Sequence, residues 1–194
     1  VREEVLRKHG WMCVDCGWKS QASGGLQVHH LNDDHSDNSV QNLVPKCAAD
    51  HAYHHIGCDA PSPGGHQGLA SQMRIAYAPW VKARDLNLLQ MALAAAWHDP
   101  NLGSAAKAIY ALLMATARVV HDGVGTHHAK DFAAALEQMS QQQYEHRRVD
   151  DFRIVFHPDL LQAWAKRWKE DYPLLPPSGW SAVVNPDVFV ADPE

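Results

Sequence analysis

The spacing of apolar residues changes partway along the chain. Leu26 to His29 alternates apolar and polar positions, the period of a half-buried strand, and Leu43 to Pro45 reads as a second strand. Before them, Glu3 to His9 predicts a short helix stopped by Gly10, a residue suited to the position just past a helix end. Asn32 to Asn38 is rich in turn residues, and Ala48 to Ile56 has helical character, so this segment reads β-loop-β-α. A Gly/Pro/Ser loop from Gly57 to Gly68 ends the unit, and Met73 to Tyr77 is a candidate for one further strand. From Asp85 the period is helical. Leu86, Leu89, Leu93 and Trp97 share a face until Asp99-Pro100 stops the pattern. Ser104 to Val120 is expected to bury Ile109, Leu112, Leu113 and Thr116; Ala129 to Tyr144 to bury Phe132, Leu136 and Met139; Asp159 to Lys169 to bury Leu160, Leu161, Trp164 and Trp168. Beyond Tyr172, the prolines Pro173, Pro176, Pro177 and Pro186 predict an extended arm that Trp180 could dock on the body. No internal repeat is visible. The expected organisation is residues 1–68 as a small α+β unit, 69–172 as a mainly helical region packed on it, and 173–194 as a tail.

Composition narrows the class. With 194 residues, 46% of them hydrophobic and 20% charged, the chain can bury a proper core. It has no uninterrupted apolar run of roughly eighteen residues, so no membrane insertion is expected. The start Val1-Arg2-Glu3-Glu4 does not read as a signal peptide, and its lack of Met suggests a trimmed fragment. Four cysteines, two of them in Cys13-x-x-Cys16, then read as metal ligands in a reducing compartment, with cytoplasm the expected location. The net charge of −5, from 17 Lys+Arg against 22 Asp+Glu, supplies little general attraction for phosphates. Basic residues cluster only locally: Arg2, Arg7 and Lys8; His146-Arg147-Arg148; Lys166-Arg167 with Lys169. The 14 histidines add charge below about pH 6.5.

The chemistry is concentrated between residues 13 and 55. Cys13-x-x-Cys16 and Cys47 have the spacing of a structural zinc knuckle, where deprotonated ligands fasten a segment too small to bury a core. Asp50, Cys58 or a neighbouring histidine could complete a set of four. Interleaved with these are the doublet His29-His30, then Asn42-Leu43, then His51-x-x-x-His55, whose histidines stand one helical turn apart. This order of groups resembles the HNH nucleases, or ββα-metal fold. The resemblance implies a small zinc-stapled α+β domain that hydrolyses phosphodiester bonds in DNA. It implies that His29, His51 and His55 hold a divalent ion (Mg²⁺, Mn²⁺, Ni²⁺ or Zn²⁺), that His30 is the general base, and that Asn42 holds the loop and orients the base. Relatives carry a second C-x-x-C whose last cysteine falls at Asp50, so the chain departs from the pattern at a structural ligand.

The remainder is similar to the DotN (IcmJ) family of type IVB secretion systems, through Gly64-Gly65, the Met73–Tyr77 strand, the Asp85-Leu86-Asn87-Leu88-Leu89 helix and the Ile109-Tyr110 helix. That resemblance implies a zinc-binding adaptor whose partner is a secretion or conjugation coupling ATPase. Two expectations of different class follow: a metal-dependent endonuclease or nickase on a DotN-like scaffold, and a non-catalytic adaptor.

Overall fold

The computed structural model describes residues 1–21, 24–32, 34–54, 72–140, 142–143, 146 and 148–171, with side chains described through residue 166. His55, Cys58, the 57–68 loop, the 172–194 tail and the side chain of Trp168 lie outside the described residues. The described chain is a mixture of six helices and two antiparallel two-stranded sheets.

Helix α1 (Arg2–Lys8) carries Glu3 and Glu4 in its first turn and Arg7 and Lys8 in its last, matching charge to the ends of the helix dipole. It stops where expected. Gly10 adopts φ +61° and donates to the Arg7 carbonyl while Trp11 donates to Leu6, the paired bonds of a Schellman end. The chain then enters the knuckle and two strands, β1 (Leu26–His30) and β2 (Leu43–Cys47), paired from Leu26↔Cys47 to His30↔Leu43. Helix α2 (Ala48–His54) follows β2 without a linker.

The second sheet pairs β3 (Met73–Tyr77) with β4 (Phe152–Phe156), joining segments far apart in sequence. The periodicity reading places β3 correctly and misses β4. The signal for β4 is the β-branched and aromatic run Phe152-Arg153-Ile154-Val155-Phe156, bounded by Asp150-Asp151 and by His157-Pro158. Between the sheets runs α3 (Ala83–Ala96), which touches α2, β4, α4 (Gly103–Val124) and α6 (Pro158–Asp171). Helix α3 is therefore buried nearly all round, and its two interior amides need partners. Gln90 finds both of its partners on β4, donating from Nε2 to the Ile154 carbonyl at 2.9 Å and accepting at Oε1 from the Phe156 N–H at 2.8 Å. The two parts of the chain are tied again by Tyr53 of α2, whose hydroxyl donates to the Phe152 carbonyl at 3.3 Å.

Two helices differ from the periodicity reading. On α4 the buried positions are Ala106, Tyr110, Ala117 and Val120, with Leu113 half-buried, while Leu112 is 69% exposed. Small residues let this helix close on β3 and α3, and Gly103 approaches so closely that an added Cβ would lie 2.8 Å from the Trp97 carbonyl oxygen. Helix α5 (Ala129–Glu137) is shorter than expected, because Ser140 and Gln143 form a capping box, each side chain accepting from the other's backbone N–H. Among the described helices, α4 alone is long and apolar enough, by length and composition, to cross a membrane; its buried face is spent here on β3 and α3.

Candidate metal centre and histidine cluster

The knuckle is shaped by short-range backbone bonds. Cys13 N–H donates to the Trp18 carbonyl at 2.8 Å, Gly17 N–H returns to the Cys13 carbonyl at 3.0 Å, and Gly17 takes φ +75°, a region a side chain resists. Val14 N–H donates to the Pro45 carbonyl at 3.0 Å, which lays the loop on β2. Cys47 ends β2 and Asp50 sits in the first turn of α2, so the strand-to-helix junction faces the knuckle.

The result is one compact donor set. The ligand atoms of Cys13, Cys16, Cys47 and Asp50 all lie within 4.8 Å of one another, with Cys13, Cys47 and Asp50 buried and Cys16 half-buried. Oδ2 of Asp50 is 3.2 Å from the sulfurs of both Cys13 and Cys47; the Cys16 and Cys47 sulfurs are 3.7 Å apart. Asp50 N–H also points at the Cys47 sulfur, at 3.4 Å. Hydrogen bonds from Cys16 and then Cys47 hold the Cys13 thiol far below its usual range, and the shared arrangement pushes Cys16 and Cys47 above theirs. Burial pushes the Asp50 carboxyl up to about 6. Three sulfurs and a carboxylate removed from water cannot all ionise without a cation, and a group of this kind can hold a metal ion such as zinc. Among the described residues, Asp50 is the one that joins the three cysteines in this group.

Asp50 is itself held. Its Oδ1 accepts from the side-chain amide of Asn87 on α3 at 2.6 Å, and both residues are buried. Nothing in the local pattern around Asn87 marks this contact; it becomes visible only when α3 is docked on α2.

The histidines occupy the other end of the same unit. Side chains of β1 alternate between faces, so His29 and His30 diverge. His29 is buried and meets His51 of α2 edge to face, with ring centroids 5.5 Å apart at 85°. The ring of His54 also lies 5.1 Å from that of His29, a neighbour the spacing argument did not anticipate. His54 is engaged elsewhere: its Nε2 stands 2.5 Å from the ammonium of Lys46, which also pairs with Asp15 at 2.7 Å. A cation so close opposes metal binding through that nitrogen. The His54 hydrogen bond and Lys46 together hold the Asp15 carboxyl below its usual range. A cleft of about 350 Å³ opens here, between Asp15, Tyr53, His54 and the first turn of α3, with Asp50 in its wall.

His30 stands 3.4 Å from Asn38 Oδ1, and its ring lies 5.0 Å from that of His35. Asn42 holds the loop, accepting from the Asn32 N–H at 3.1 Å and donating to Asn32 Oδ1 at 2.8 Å and the Asp37 carbonyl at 2.9 Å. Its side-chain bonds thus fix the β1–β2 loop, while the amide next to His30 is Asn38. Comparison with protein-family models and with characterised proteins finds no match to this chain.

Proposed function

We propose that the β1–β2–α2 unit is a metal-dependent phosphodiester hydrolase site of the HNH type acting on DNA, stapled by zinc on Cys13, Cys16, Cys47 and Asp50. The observation that carries this reading is the meeting of His29 and His51 at the face of β1 turned to α2, while Asp50, and neither of these histidines, joins the cysteines. Had His51 served the knuckle, the three-histidine set for a second ion would be broken. His29 and His51, with His55 outside the described residues, would hold that ion. A divalent cation there supplies the positive charge that offsets charge developing on phosphoryl oxygens.

His30 acts on water as general base. With Nε2–H donating to Asn38 Oδ1, the ring keeps its Nδ1 lone pair for the incoming proton. Asn42 acts one step further out, by holding the loop that carries Asn38. The acidic balance of the chain restricts productive contact with DNA to local basic groups such as Arg2, Arg7 and Lys8. The test is nicking of supercoiled plasmid with each of Mg²⁺, Mn²⁺, Ni²⁺ and Zn²⁺, set against the His30→Ala protein.

A second reading has its own support. The outer side of α4 exposes Leu112 and Val119, Val124 is exposed at its last residue, and Trp80 is 72% exposed, which suits a protein-binding adaptor such as a subunit of a secretion or conjugation coupling complex. Binding to a coupling ATPase that is lost in Leu112→Ser and Val119→Ser would favour it.

A further inference from the structure

We infer that Asn87 is a positioning residue for the metal on the knuckle: its amide holds Oδ1 of Asp50 and leaves Oδ2 as the single ligand oxygen. The inference rests on the Cys13/Cys16/Cys47/Asp50 site and is independent of the nuclease reading. Asn87 lies 37 residues beyond Asp50, on a different helix, and the two are 2% and 3% exposed. Their contact is short, 2.6 Å from Nδ2 to Oδ1. Oδ2 faces the sulfurs of Cys13 and Cys47 at 3.2 Å each, so the carboxylate is already turned with one oxygen toward the donors and one toward α3.

The chemistry of the donor set explains why such a partner is needed. A thiolate offers one donor atom, whereas a carboxylate offers two and can rotate between one-oxygen and two-oxygen binding. Beside three thiolates, a tetrahedral ion has room for one more atom. An oxygen turned away from the ion and buried without a donor would also carry an unmet desolvation cost. Asn87 answers both requirements, as outer-shell donors do for ligating carboxylates elsewhere. Because Asn87 reaches Asp50 only while α3 lies against α2, the affinity of the knuckle for its ion becomes coupled to the docking of the helical region.

A double-mutant cycle on the full chain tests this, reading zinc transfer to a chromogenic chelator and the visible absorption of the Co²⁺-loaded protein. Asn87→Ala should weaken zinc binding about 10- to 100-fold and reduce the tetrahedral Co²⁺ bands as the freed carboxylate changes its mode of binding. In an Asp50→Cys background, where no carboxylate needs holding, the same substitution should change affinity by no more than about twofold. Asn87→Leu, of similar volume, repeats both arms should the alanine variant fail to fold. Equal loss in both backgrounds, no loss beside Asp50, or failure of both Asn87 variants to fold beside Asp50→Cys would each overturn the inference. A wild-type chain that takes up neither zinc nor Co²⁺ would overturn the metal site itself, and this inference with it.

Discussion

Cys47 and Asp50 stand at the junction of β2 and α2, and the sulfur of one lies 3.2 Å from Oδ2 of the other. The strand-to-helix turn thereby delivers two donors to one point, with Cys13 and Cys16 arriving from the knuckle. Purified protein should carry one tightly bound zinc, and Asp50→Ala should lose most of it while Cys58→Ser keeps it. Structural zinc contributes about 10 kcal/mol or more to the folding of small finger peptides, so Cys13→Ser should yield metal-poor, aggregating protein. Metal analysis of the three variants checks this. Zinc loss in Cys58→Ser with retention in Asp50→Ala would contradict the ligand set.

Gln90 secures β4 from the side opposite to β3. Replacing it with Leu would strand the Ile154 carbonyl and the Phe156 N–H in the interior, where each unmet group costs roughly 1–3 kcal/mol. Gln90→Leu should lower unfolding free energy by about 3 kcal/mol in a urea titration of the zinc-loaded protein. A change under about 0.5 kcal/mol, the usual range for surface positions, would show that these bonds are replaced by others.

How much of this was legible beforehand depends on whether a feature is local. The Gly10 stop, the β3 strand and the grouping of Cys13, Cys16 and Cys47 are written in short-range patterns, and the structure places them accordingly. β4 carried a strand-like run but its partner lies far away along the chain, and a helix-dominated region masked it. On α4 the expectation put Leu112 on the core face, whereas packing on β3 and α3 buries Ala106, Tyr110, Ala117 and Val120, leaving Leu112 outside. Asn87 and Gln90 were the least legible residues of all. An amide inside an amphipathic helix looks like a surface residue until the second partner, Asp50 or β4, is brought against it.

The hydroxyl of Tyr110 donates to the Phe156 carbonyl at 3.0 Å, and burial pushes its pKa up to about 12. The folded state therefore holds this proton more tightly than the unfolded chain, where tyrosine titrates near about 10. The associated stability is fully present below about pH 10 and is lost as pH rises toward 12. Tyr110→Phe should cost about 1 kcal/mol near neutrality and flatten the fall in stability across that alkaline window. Melting temperatures recorded from pH 8 to 12 read both effects, and an unchanged alkaline slope in the variant would contradict the assignment.

The central claim is tested most directly by metal-dependent nicking of supercoiled plasmid by the zinc-loaded chain. The account predicts nicking that requires an added divalent cation, is abolished together with binding of that cation in His29→Ala and His51→Ala, and falls by about 10²- to 10⁴-fold in His30→Ala while the cation stays bound. No cleavage with any of Mg²⁺, Mn²⁺, Ni²⁺ or Zn²⁺, or cleavage indifferent to all three substitutions, would contradict it.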